Sequence, residues 1–374
     1  MSNMQKKRIL LVVRYPVGGI LSYIKYIYRQ PCFDEYMFTI LAPGPELQAV
    51  FEKLFNQCGS EFIICKNGAD MIMKSWRYLR ENQVDLVHSH GFTAGCLSVI
   101  PAKYSQIPHL MTMHDVLQDD QFVGIKGNLM KTVLPTVFNK IDVIHTVSHD
   151  ATDNFKLFAP KLNEKKIAII PHGIDVDRFA EAEKTDFRTA SEYETFLVGF
   201  FGRFMSQKGF RYLVDAVDII QRNKLSDRKL LVLTFGWGGF IREEYQNIEE
   251  KGLQDFFRMI PFTDDMPGAI KGVDMVAMPS LWEACGLLGM EALVAGVPIV
   301  GTHCIGLREV LRDSPAVMVA PRNSLVLAEA IANEMNCPRT DEFNVYAPIA
   351  KERFTLTKPT SGLKALYDQM ILNQ

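Results

Sequence analysis

The chain has 374 residues, of which 48% are hydrophobic and 22% are charged. This length predicts two domains, and the apolar content is too high for a disordered chain. The 41 Lys and Arg residues are balanced by 43 Asp and Glu residues, which gives a net charge of -2. This balance argues against a general nucleic-acid binder, because such proteins need clustered positive charge.

The seven cysteines are widely spaced and form no C-x-x-C motif, so neither a disulfide framework nor a zinc ribbon is predicted. The apolar run at 9–13 is interrupted by Arg14 and is too short for a signal peptide. No apolar run reaches the length of a membrane span. These features predict a cytoplasmic protein in a reducing compartment.

Short apolar runs alternate with longer amphipathic segments, which is typical of βα units around parallel sheets. In the first half, strands are predicted at 9–13, 37–41, 62–65, 84–88, 110–113, 143–147 and 167–170. Helices are predicted between them at 20–29, 46–58 and 71–81. The charged segment 177–194 lacks apolar periodicity and marks the change between two domains.

The second half repeats this rhythm. Strands are predicted at 196–201, 230–235, 257–259, 275–278, 298–300 and 317–320, and helices at 212–221, 327–335 and 361–372. The pattern predicts an α/β protein with two doubly wound, Rossmann-like domains. Ligands of such sheets bind at the carboxyl ends of the strands, so the residues after each strand are the first candidates for a site.

One candidate is the loop that follows the predicted strand 196–201. Gly202 and Gly209 allow a tight turn, while Arg203 and Lys208 place two cations where a helix N-terminus already favours an anion. The loop is interpreted either as a clamp for a diphosphate or as a solvated surface loop. The residues of this loop alone do not decide between the two.

A second candidate follows the predicted strand 275–278. Gly286 marks a turn, and a helix is predicted to begin near Leu287, which places Glu283 in the loop and Glu291 about one turn inside the helix. The first amides of that helix, at Leu287 and Leu288, are suited to a diphosphate, and Glu291 to ribose hydroxyls. The alternative is a capped helix with two surface glutamates.

Together these stretches resemble the signatures of the retaining GT-B glycosyltransferases of family 4. The similarity rests on Gly202-Arg203-x4-Lys208-Gly209, on Glu283-x7-Glu291, and on the segments 17–20, 112–115, 171–175 and 306–310. Their order along the chain carries the resemblance, which covers nearly the whole sequence. It implies a GT-B architecture, in which two Rossmann-like domains face a central cleft.

The resemblance also implies domain roles. Residues 1–173 are expected to bind the acceptor and residues 174–359 the nucleotide sugar, with a C-terminal helix at about 360–374 crossing back onto the first domain. Domain closure is expected to hinge near Gly173 and near Lys358 and Pro359.

Residue roles carried over from the family concern both domains. Arg203 and Lys208 are expected to neutralise the donor diphosphate, and Glu291 to hold the ribose. Glu283 is expected to support the transferred sugar electrostatically, without a covalent intermediate. In the first domain, the resemblance assigns Gly18 and Gly19 to the approach of a loop to the phosphates, and His114 to the sugar.

The predicted function is the retaining transfer of a hexose from a nucleotide diphosphate sugar to a saccharide or glycolipid acceptor in surface polysaccharide synthesis. A UDP-sugar is favoured over GDP-mannose, and neither a cofactor nor a metal is expected. Peripheral contact with the inner membrane face is left open, as is the oligomeric state. The alternatives are a nucleotide-sugar 2-epimerase of the same fold and a non-catalytic nucleotide-sugar-binding protein.

Several further features have structural interpretations. Asp175 and Asp177 spell D-x-D, but their place in the linker favours helix capping over a metal site. Of His88 and His90, we expect only one to be core, and His90 is a candidate for the acceptor site. Trp237 is expected to pack in a glycine-rich turn near the donor, with no helix start after it.

Two more features concern the acceptor and the donor pocket. The basic and apolar segment 121–131 is expected to pack on the sheet, with contact to an anionic membrane as the alternative. Cys285 stands where the family commonly has phenylalanine, and this smaller residue is expected to alter the pocket beside the sugar.

Overall fold

The computed structural model describes residues 6–45, 48–55, 60–260 and 263–372, without the side chain of Lys126. The chain forms two compact units. Unit 1 comprises residues 1–173 and 356–374, and unit 2 comprises residues 174–355. The last helix of the chain belongs to unit 1 and begins at Thr357, slightly before the predicted start at about residue 360.

Unit 1 contains a seven-stranded parallel sheet with the order β3-β2-β1-β4-β5-β6-β7. Its strands are β1 (Lys7–Val13), β2 (Tyr36–Pro43), β3 (Glu61–Cys65), β4 (Leu86–His90), β5 (His109–Met113), β6 (Val143–Thr146) and β7 (Ile167–Ile169). Its helices are α1 (Gly19–Ile27), α2 (Gln48–Phe55), α3 (Gly68–Glu81), α4 (Phe92–Tyr104), α5 (Gly124–Phe138), α6 (His149–Phe158) and the last helix of the chain, α15 (Thr357–Leu372).

Unit 2 contains a six-stranded parallel sheet with the order β10-β9-β8-β11-β12-β13. Its strands are β8 (Phe196–Phe201), β9 (Leu230–Phe235), β10 (Phe257–Ile260), β11 (Met275–Met278), β12 (Ile299–Thr302) and β13 (Val317–Val319). Its helices are α7 (Val176–Ala180), α8 (Phe210–Asn223), α9 (Ile241–Glu250), α10 (Met266–Lys271), α11 (Leu287–Val294), α12 (Leu307–Leu311), α13 (Ser324–Asn336) and α14 (Thr340–Arg353).

Each of the thirteen predicted strands is present, because buried parallel strands read as short, nearly continuous apolar runs. Strand β4 is displaced as a whole, because it begins and ends two residues after its predicted bounds. Asp85, near the predicted start of this strand, instead accepts a hydrogen bond of 2.7 Å from the backbone N–H of Arg8 in the neighbouring strand β1. Of the predicted helix 46–58, residues 46–47 and 56–58 lie outside the described residues.

The strand order places one switch point in each unit. In unit 1 the sheet grows in one direction from β1 to β3 and in the other from β4 onward, so the switch point lies between β1 and β4. In unit 2 it lies between β8 and β11. At a switch point the connections leave toward opposite faces of the sheet, which opens a crevice at the carboxyl ends of the strands. The predicted site residues follow these strands or their neighbours.

Candidate active site

The loop after β8 crosses the switch point of unit 2. It contains a 3-10 turn at Ser206–Lys208 and ends at Gly209, which caps α8 with a φ of 65°. A Cβ atom on Gly209 would lie 2.0 Å from the carbonyl oxygen of Pro279, in the loop after β11. Glycine is therefore required here both for the left-handed backbone and for the contact between the two loops.

Hydrogen bonds join these two loops directly. The backbone N–H of Leu281 donates to the carbonyl oxygen of Gln207 at 2.7 Å. In return, the Gln207 side-chain amide donates to the carbonyl oxygen of Trp282 at 2.9 Å. The two loops that carry the predicted cations and carboxylates thus form one connected surface within unit 2.

At the centre of this surface, Lys208 and Glu283 form an ion pair. Lys208 Nζ lies 2.6 Å from Glu283 Oε1, and the hydroxyl of Ser280 donates to the same oxygen at 2.7 Å. Glu283 is only 7% exposed. An ammonium group has three N–H donors, so Lys208 can keep this contact and still bind an anion. The carboxylate is held in one orientation by two donors.

The loop after β12 contacts the backbone of Glu283. The backbone N–H of Glu283 donates to the carbonyl oxygen of Ile305 at 3.0 Å. Gly306 has a φ of 76°, and a Cβ atom there would lie 2.1 Å from the carbonyl oxygen of Glu283. Thr302, at the end of β12, donates from its hydroxyl to the carbonyl oxygen of Ser280.

Ser280, Thr302 and Gln207 were not identified from sequence as site residues. Each is a small or uncharged polar residue at or shortly after a strand end, and such residues are common in ordinary turns. Only their contacts with the Glu283 loop distinguish them. The one sequence feature that could have identified any of them is the position of Ser280, directly before the Glu283 loop.

Helix α11 begins at Leu287, as predicted, after Gly286 in the left-handed conformation with a φ of 39°. The first amides of a helix have no intrahelical acceptor, so those of Leu287 and Leu288 are available to an anion at a site of positive potential. Glu291 lies in the fifth position of the helix and is partly buried.

Arg203 is partly exposed after β8, and no residue in the described part of the chain forms an ion pair with it. Cys285 is buried, at 7% exposure, directly before the turn into α11. Unit 2 therefore brings together Arg203, Lys208, Glu283 and the N-terminus of α11 around one switch point.

The loop after β9 contacts the Arg203 loop. The backbone N–H of Phe204 donates to the carbonyl oxygen of Trp237 at 2.9 Å, and a Cβ on Gly236 would lie 1.9 Å from the carbonyl oxygen of Gly202. Two expectations were wrong here. The side chain of Trp237 does not pack, since it is 63% exposed, and a helix does follow, because α9 begins at Ile241.

In unit 1, the predicted residues lie near the switch point between β1 and β4. Gly18 has a φ of 56° and precedes α1, whereas a Cβ on Gly19 would meet nothing within 4 Å. His114 follows β5, and its Nε2 lies 3.0 Å from Nδ1 of His90. Tyr23 of α1 meets the His114 ring edge-on, with ring centroids 4.8 Å apart.

His88 and His90 are both buried, contrary to the expectation that only one is core. The expectation was wrong because residues two positions apart on a strand point to the same face. Their ring centroids lie 4.3 Å apart, and both rings contact the hydroxyl of Tyr28. Sequence reasoning did not identify Tyr28 as a partner.

Burial controls the protonation of these histidines. It lowers the pKa of His90 to about 3, and the pKa of His145 and of His172 to about 4. Burial also holds the pKa of His114 well below its usual value, with His90 adding to the shift. Loss of solvent disfavours the cation, so this edge of unit 1 presents neutral rings near pH 7.

The D-x-D sequence has the capping role expected from its position. Asp175 precedes α7 and accepts a hydrogen bond from the backbone N–H of Arg178 at 3.4 Å, while Asp177 pairs with Lys351 at 2.7 Å. Among the described residues, no group of three or more His, Cys, Asp or Glu side chains is arranged to hold a metal ion.

The helices show no candidate for a membrane span within the described ranges. The segment 121–131 does not simply pack on the sheet. Ile125, Leu129 and Val133 recur every four residues along α5 and are 92%, 64% and 47% exposed. They form one apolar face that points to solvent.

Comparison with known proteins places both halves in one family. The profile described as Glycosyltransferase Family 4 matches residues 38–178, and that described as Glycosyl transferases group 1 matches residues 195–336. An Escherichia coli relative, UDP-Gal:alpha-D-GlcNAc-diphosphoundecaprenol alpha-1,3-galactosyltransferase, is 22% identical over 317 residues, or 81% of this chain and 80% of its own.

Solved structures agree with this assignment. Anabaena Alr3699/HepE in complex with UDP and glucose matches 97% of this chain and 100% of its own with a TM-score of 0.81 at 20% identity. Sucrose-phosphate synthase from Thermosynechococcus elongatus matches 99% and 100% with a TM-score of 0.80 at 16% identity. Given the two profile matches and the doubly wound sheet of each unit, this chain belongs to the group 1, family 4 glycosyltransferases of the GT-B fold, which act on nucleotide sugars.

Proposed function

We propose that this glycosyltransferase transfers a hexose with retention of configuration, and without a metal ion, from a UDP-sugar to a lipid-linked saccharide. The observation that carries the proposal is the Lys208–Glu283 pair beside the N-terminus of α11, at the switch point of unit 2. A cation, helix amides and an oriented carboxylate meet there within one connected pair of loops.

The chemistry of the leaving group explains this arrangement. As the glycosidic bond breaks, negative charge develops on the departing diphosphate. Arg203, Lys208 and the first amides of α11 would stabilise that charge, in the place that a metal ion takes in other enzymes. Ser280 and Lys208 hold one oxygen of Glu283, so the carboxylate would face the sugar in a fixed orientation.

The donor and the stereochemistry are supported by resemblance. The E. coli relative is named for a UDP-galactose donor, and Alr3699/HepE was solved with UDP and glucose. We favour UDP over GDP on this ground. Retention would follow from attack on the same face from which the diphosphate departs, so no enzyme nucleophile is needed, and Glu291 and His114 would bind ribose and sugar.

A glycolipid acceptor is favoured by two observations. The acceptor in the name of the E. coli relative is linked to diphosphoundecaprenol. In this chain, Ile125, Leu129 and Val133 expose an apolar face on α5 that could enter the interfacial layer of a membrane. The protein would then work at the inner membrane face in surface polysaccharide synthesis.

Calorimetric titration of the purified chain with UDP, GDP, ADP and their sugar conjugates tests the donor site. We expect one base to bind in the micromolar range and Lys208→Ala to weaken binding by about 10- to 100-fold, as for loss of a charged hydrogen bond. Lys251→Ala is the matched control, because Lys251 also forms an ion pair in unit 2, with Asp215, but follows the far end of α9. Equal binding by both variants would contradict the proposed site.

Product analysis tests the reaction. Transfer to an undecaprenyl-diphosphate sugar, with the anomeric configuration of the donor kept and with full activity in excess EDTA, is the expected result. Conversion of the donor to its 2-epimer without an acceptor would identify an epimerase instead. Loss of activity in EDTA that Mg²⁺ restores would contradict the metal-independent mechanism.

Vesicle binding tests the acceptor proposal separately. The chain is expected to sediment with vesicles rich in anionic phospholipid, and Leu129→Ser to weaken sedimentation without changing UDP binding. Leu157→Ser serves as the control, because Leu157 is also exposed, at 76%, but lies on α6. If Leu129→Ser and the unchanged chain sediment equally, α5 is not the contact surface.

A further inference from the structure

Unit 1 contains a continuous chain of hydrogen bonds that runs from a backbone carbonyl to His114. Its members are Ile170, His145, Thr112, His88, Tyr367, Tyr28, His90 and His114. Among them, the six side chains between Ile170 and His114 are buried, and Tyr367 belongs to α15. A neutral histidine, a threonine and a tyrosine side chain each donate one proton, so the direction of one hydrogen bond in the chain determines the direction of the next.

The direction begins at the carbonyl oxygen of Ile170, which can only accept. His145 Nε2 lies 3.0 Å from it and therefore carries the ring proton. In a neutral ring, Nδ1 then accepts, so the hydroxyl of Thr112 donates to it at 2.9 Å. With its proton used, Thr112 accepts from Nε2 of His88 at 2.7 Å, and His88 Nδ1 is left as an acceptor.

Two tyrosine hydroxyls face that acceptor. The hydroxyl of Tyr367 lies 2.6 Å from His88 Nδ1, and that of Tyr28 lies 2.9 Å away. Two acceptors without a proton between them repel more strongly at 2.6 Å than at 2.9 Å, so Tyr367 donates to His88. Tyr28, 3.0 Å from Tyr367, then donates to the Tyr367 oxygen.

The last two hydrogen bonds follow from the first five. Since the proton of Tyr28 points toward Tyr367, its oxygen accepts from Nε2 of His90 at 3.0 Å. His90 Nδ1 therefore accepts from Nε2 of His114, also at 3.0 Å. This order leaves Nδ1 of His114 without a proton.

The opposite order fails on the same contacts. If Tyr28 donated to His90, the one proton of Tyr367 could fill either its 2.6 Å contact with His88 or its 3.0 Å contact with Tyr28, but not both. The 2.9 Å contact between Tyr28 and His88 would also have no proton. If Tyr28 donated to His88, Tyr367 would donate to Tyr28, and His90 would still donate to Tyr28. Each arrangement in which His90 donates to Tyr28 leaves one of these four buried contacts without a proton, whereas donation from Tyr28 to His90 leaves two. The contacts therefore favour donation from His90, and with it the same tautomer of His114.

We propose that Tyr28 is a positioning residue that fixes His114 as the Nε2–H tautomer, so that His114 presents Nδ1 as a hydrogen-bond acceptor for a sugar hydroxyl. The tautomer follows from the contacts of unit 1 alone. Its use for a sugar hydroxyl rests on the proposed function. The lowered pKa of His114 keeps this acceptor unprotonated near neutral pH.

Nuclear magnetic resonance of the ¹⁵N-labelled full chain tests the tautomer without any need for turnover. Long-range ¹H–¹⁵N spectra at pH 7.5 should show His88, His90, His114 and His145 as Nε2–H rings. Signals are assigned by His→Gln replacement, one ring at a time. An Nδ1–H or a cationic ring at His114 would overturn the proposal.

Two variants make opposite predictions. Tyr28→Phe removes the acceptor for His90, so a second tautomer should appear at His90 and His114, while His145 stays unchanged on Ile170. Tyr367→Phe should leave His114 unchanged, because Tyr28 can then donate directly to His88 at 2.9 Å. An unchanged His114 in Tyr28→Phe would overturn the role of Tyr28, and if this variant does not fold, the spectra of the unchanged chain still decide the tautomer.

Turnover gives the second readout. Partners that orient histidines in metal sites are worth about 10- to 100-fold in activity, and we expect a loss of about 10-fold in kcat for Tyr28→Phe, with a smaller change in the UDP dissociation constant. Tyr36→Phe is the matched control, because its hydroxyl also contacts α15, at Asp368, but not the histidines. If the tautomers change as expected but kcat does not, His114 has no catalytic contact with the sugar, although the hydrogen-bond chain is correct.

Discussion

The six strands of unit 2 have the same order as the first six strands of unit 1, yet the carboxyl edges of the two sheets carry different side chains. Seven of the eight histidines belong to unit 1, and four of them join the hydrogen-bond chain that ends at His114. In unit 2, the same edge carries the partly exposed cations Arg203 and Lys208 with Glu283. The histidines at the first edge are therefore neutral and mostly buried, whereas the two cations at the second edge are partly open to solvent.

The difference follows from the cost of burying charge. Imidazole can lose its charge when buried, so a group of histidines becomes a neutral, oriented network of donors and acceptors. Arginine cannot lose its charge, and a lysine beside a carboxylate keeps it, so charged groups stay near solvent or form pairs. A neutral edge suits hydroxyl groups, and a charged edge suits a diphosphate.

The largest effect is expected from Glu283→Ala. Loss of an oriented group that stabilises transition-state charge costs about 10²- to 10³-fold in kcat. Nucleotide binding should change much less, because Lys208 and the α11 amides remain. Glu243→Ala, an exposed glutamate on α9, is the control for loss of a carboxylate. Equal losses of kcat and of UDP affinity in Glu283→Ala would place Glu283 in the nucleotide site instead.

The second largest effect is a difference between the units in how their stability depends on pH. A buried histidine with a lowered pKa binds fewer protons in the folded chain than in the unfolded chain. The free energy of unfolding is therefore undiminished above about pH 6.5, and it falls as the pH drops toward the folded-state pKa. For His145 and His172 that pKa is about 4. Each of these two histidines lowers the free energy of unfolding by about 1.4 kcal/mol per pH unit between these two pH values.

Hydrogen exchange resolved by peptide measures this difference. Between pH 6.5 and pH 4, unit 1 should lose protection first, because unit 2 contains a single histidine, His303. Rates are corrected for the intrinsic effect of pH on exchange. Earlier loss of protection in unit 2 would show that the histidine network does not control acid stability.

Much of this architecture could be predicted from one sequence. Apolar runs give the strands, and glycines with positive φ, such as Gly209 and Gly286, give the turns. The Lys208–Glu283 contact could not be predicted, because its partners are 75 residues apart and nothing local places them together. Family resemblance suggested both residues, but not that they contact each other.

The histidine network was missed for a different reason. The sequence places His88 and His90 on one face of a strand, and the correct period of two would have predicted that. The partner Tyr367, however, lies 279 residues from His88. Which helix covers a sheet face depends on tertiary packing, and the burial that lowers the histidine pKa values is equally invisible in the sequence.

A smaller effect should come from Gly306→Ala in unit 2. The substitution adds a left-handed backbone penalty of about 1–2 kcal/mol and a clash with the carbonyl of Glu283. Gly252→Ala is the control, since Gly252 has a similar φ of 67° but open space around a Cβ atom. Urea unfolding should show a larger loss of stability in Gly306→Ala, and only this variant should lose activity.

The smallest change in stability is expected from Gly19→Ala in unit 1. A Cβ atom there meets nothing within 4 Å, and α1 begins at this residue, so the free energy of unfolding should stay the same or rise by up to about 1 kcal/mol. The protein itself therefore does not require glycine at this position. If Gly19 serves the approach of donor phosphates, as the family resemblance implies, KM for the nucleotide sugar should rise in Gly19→Ala although the chain is as stable as before. An unchanged KM would assign this turn to Gly18 alone, whose φ of 56° already requires glycine.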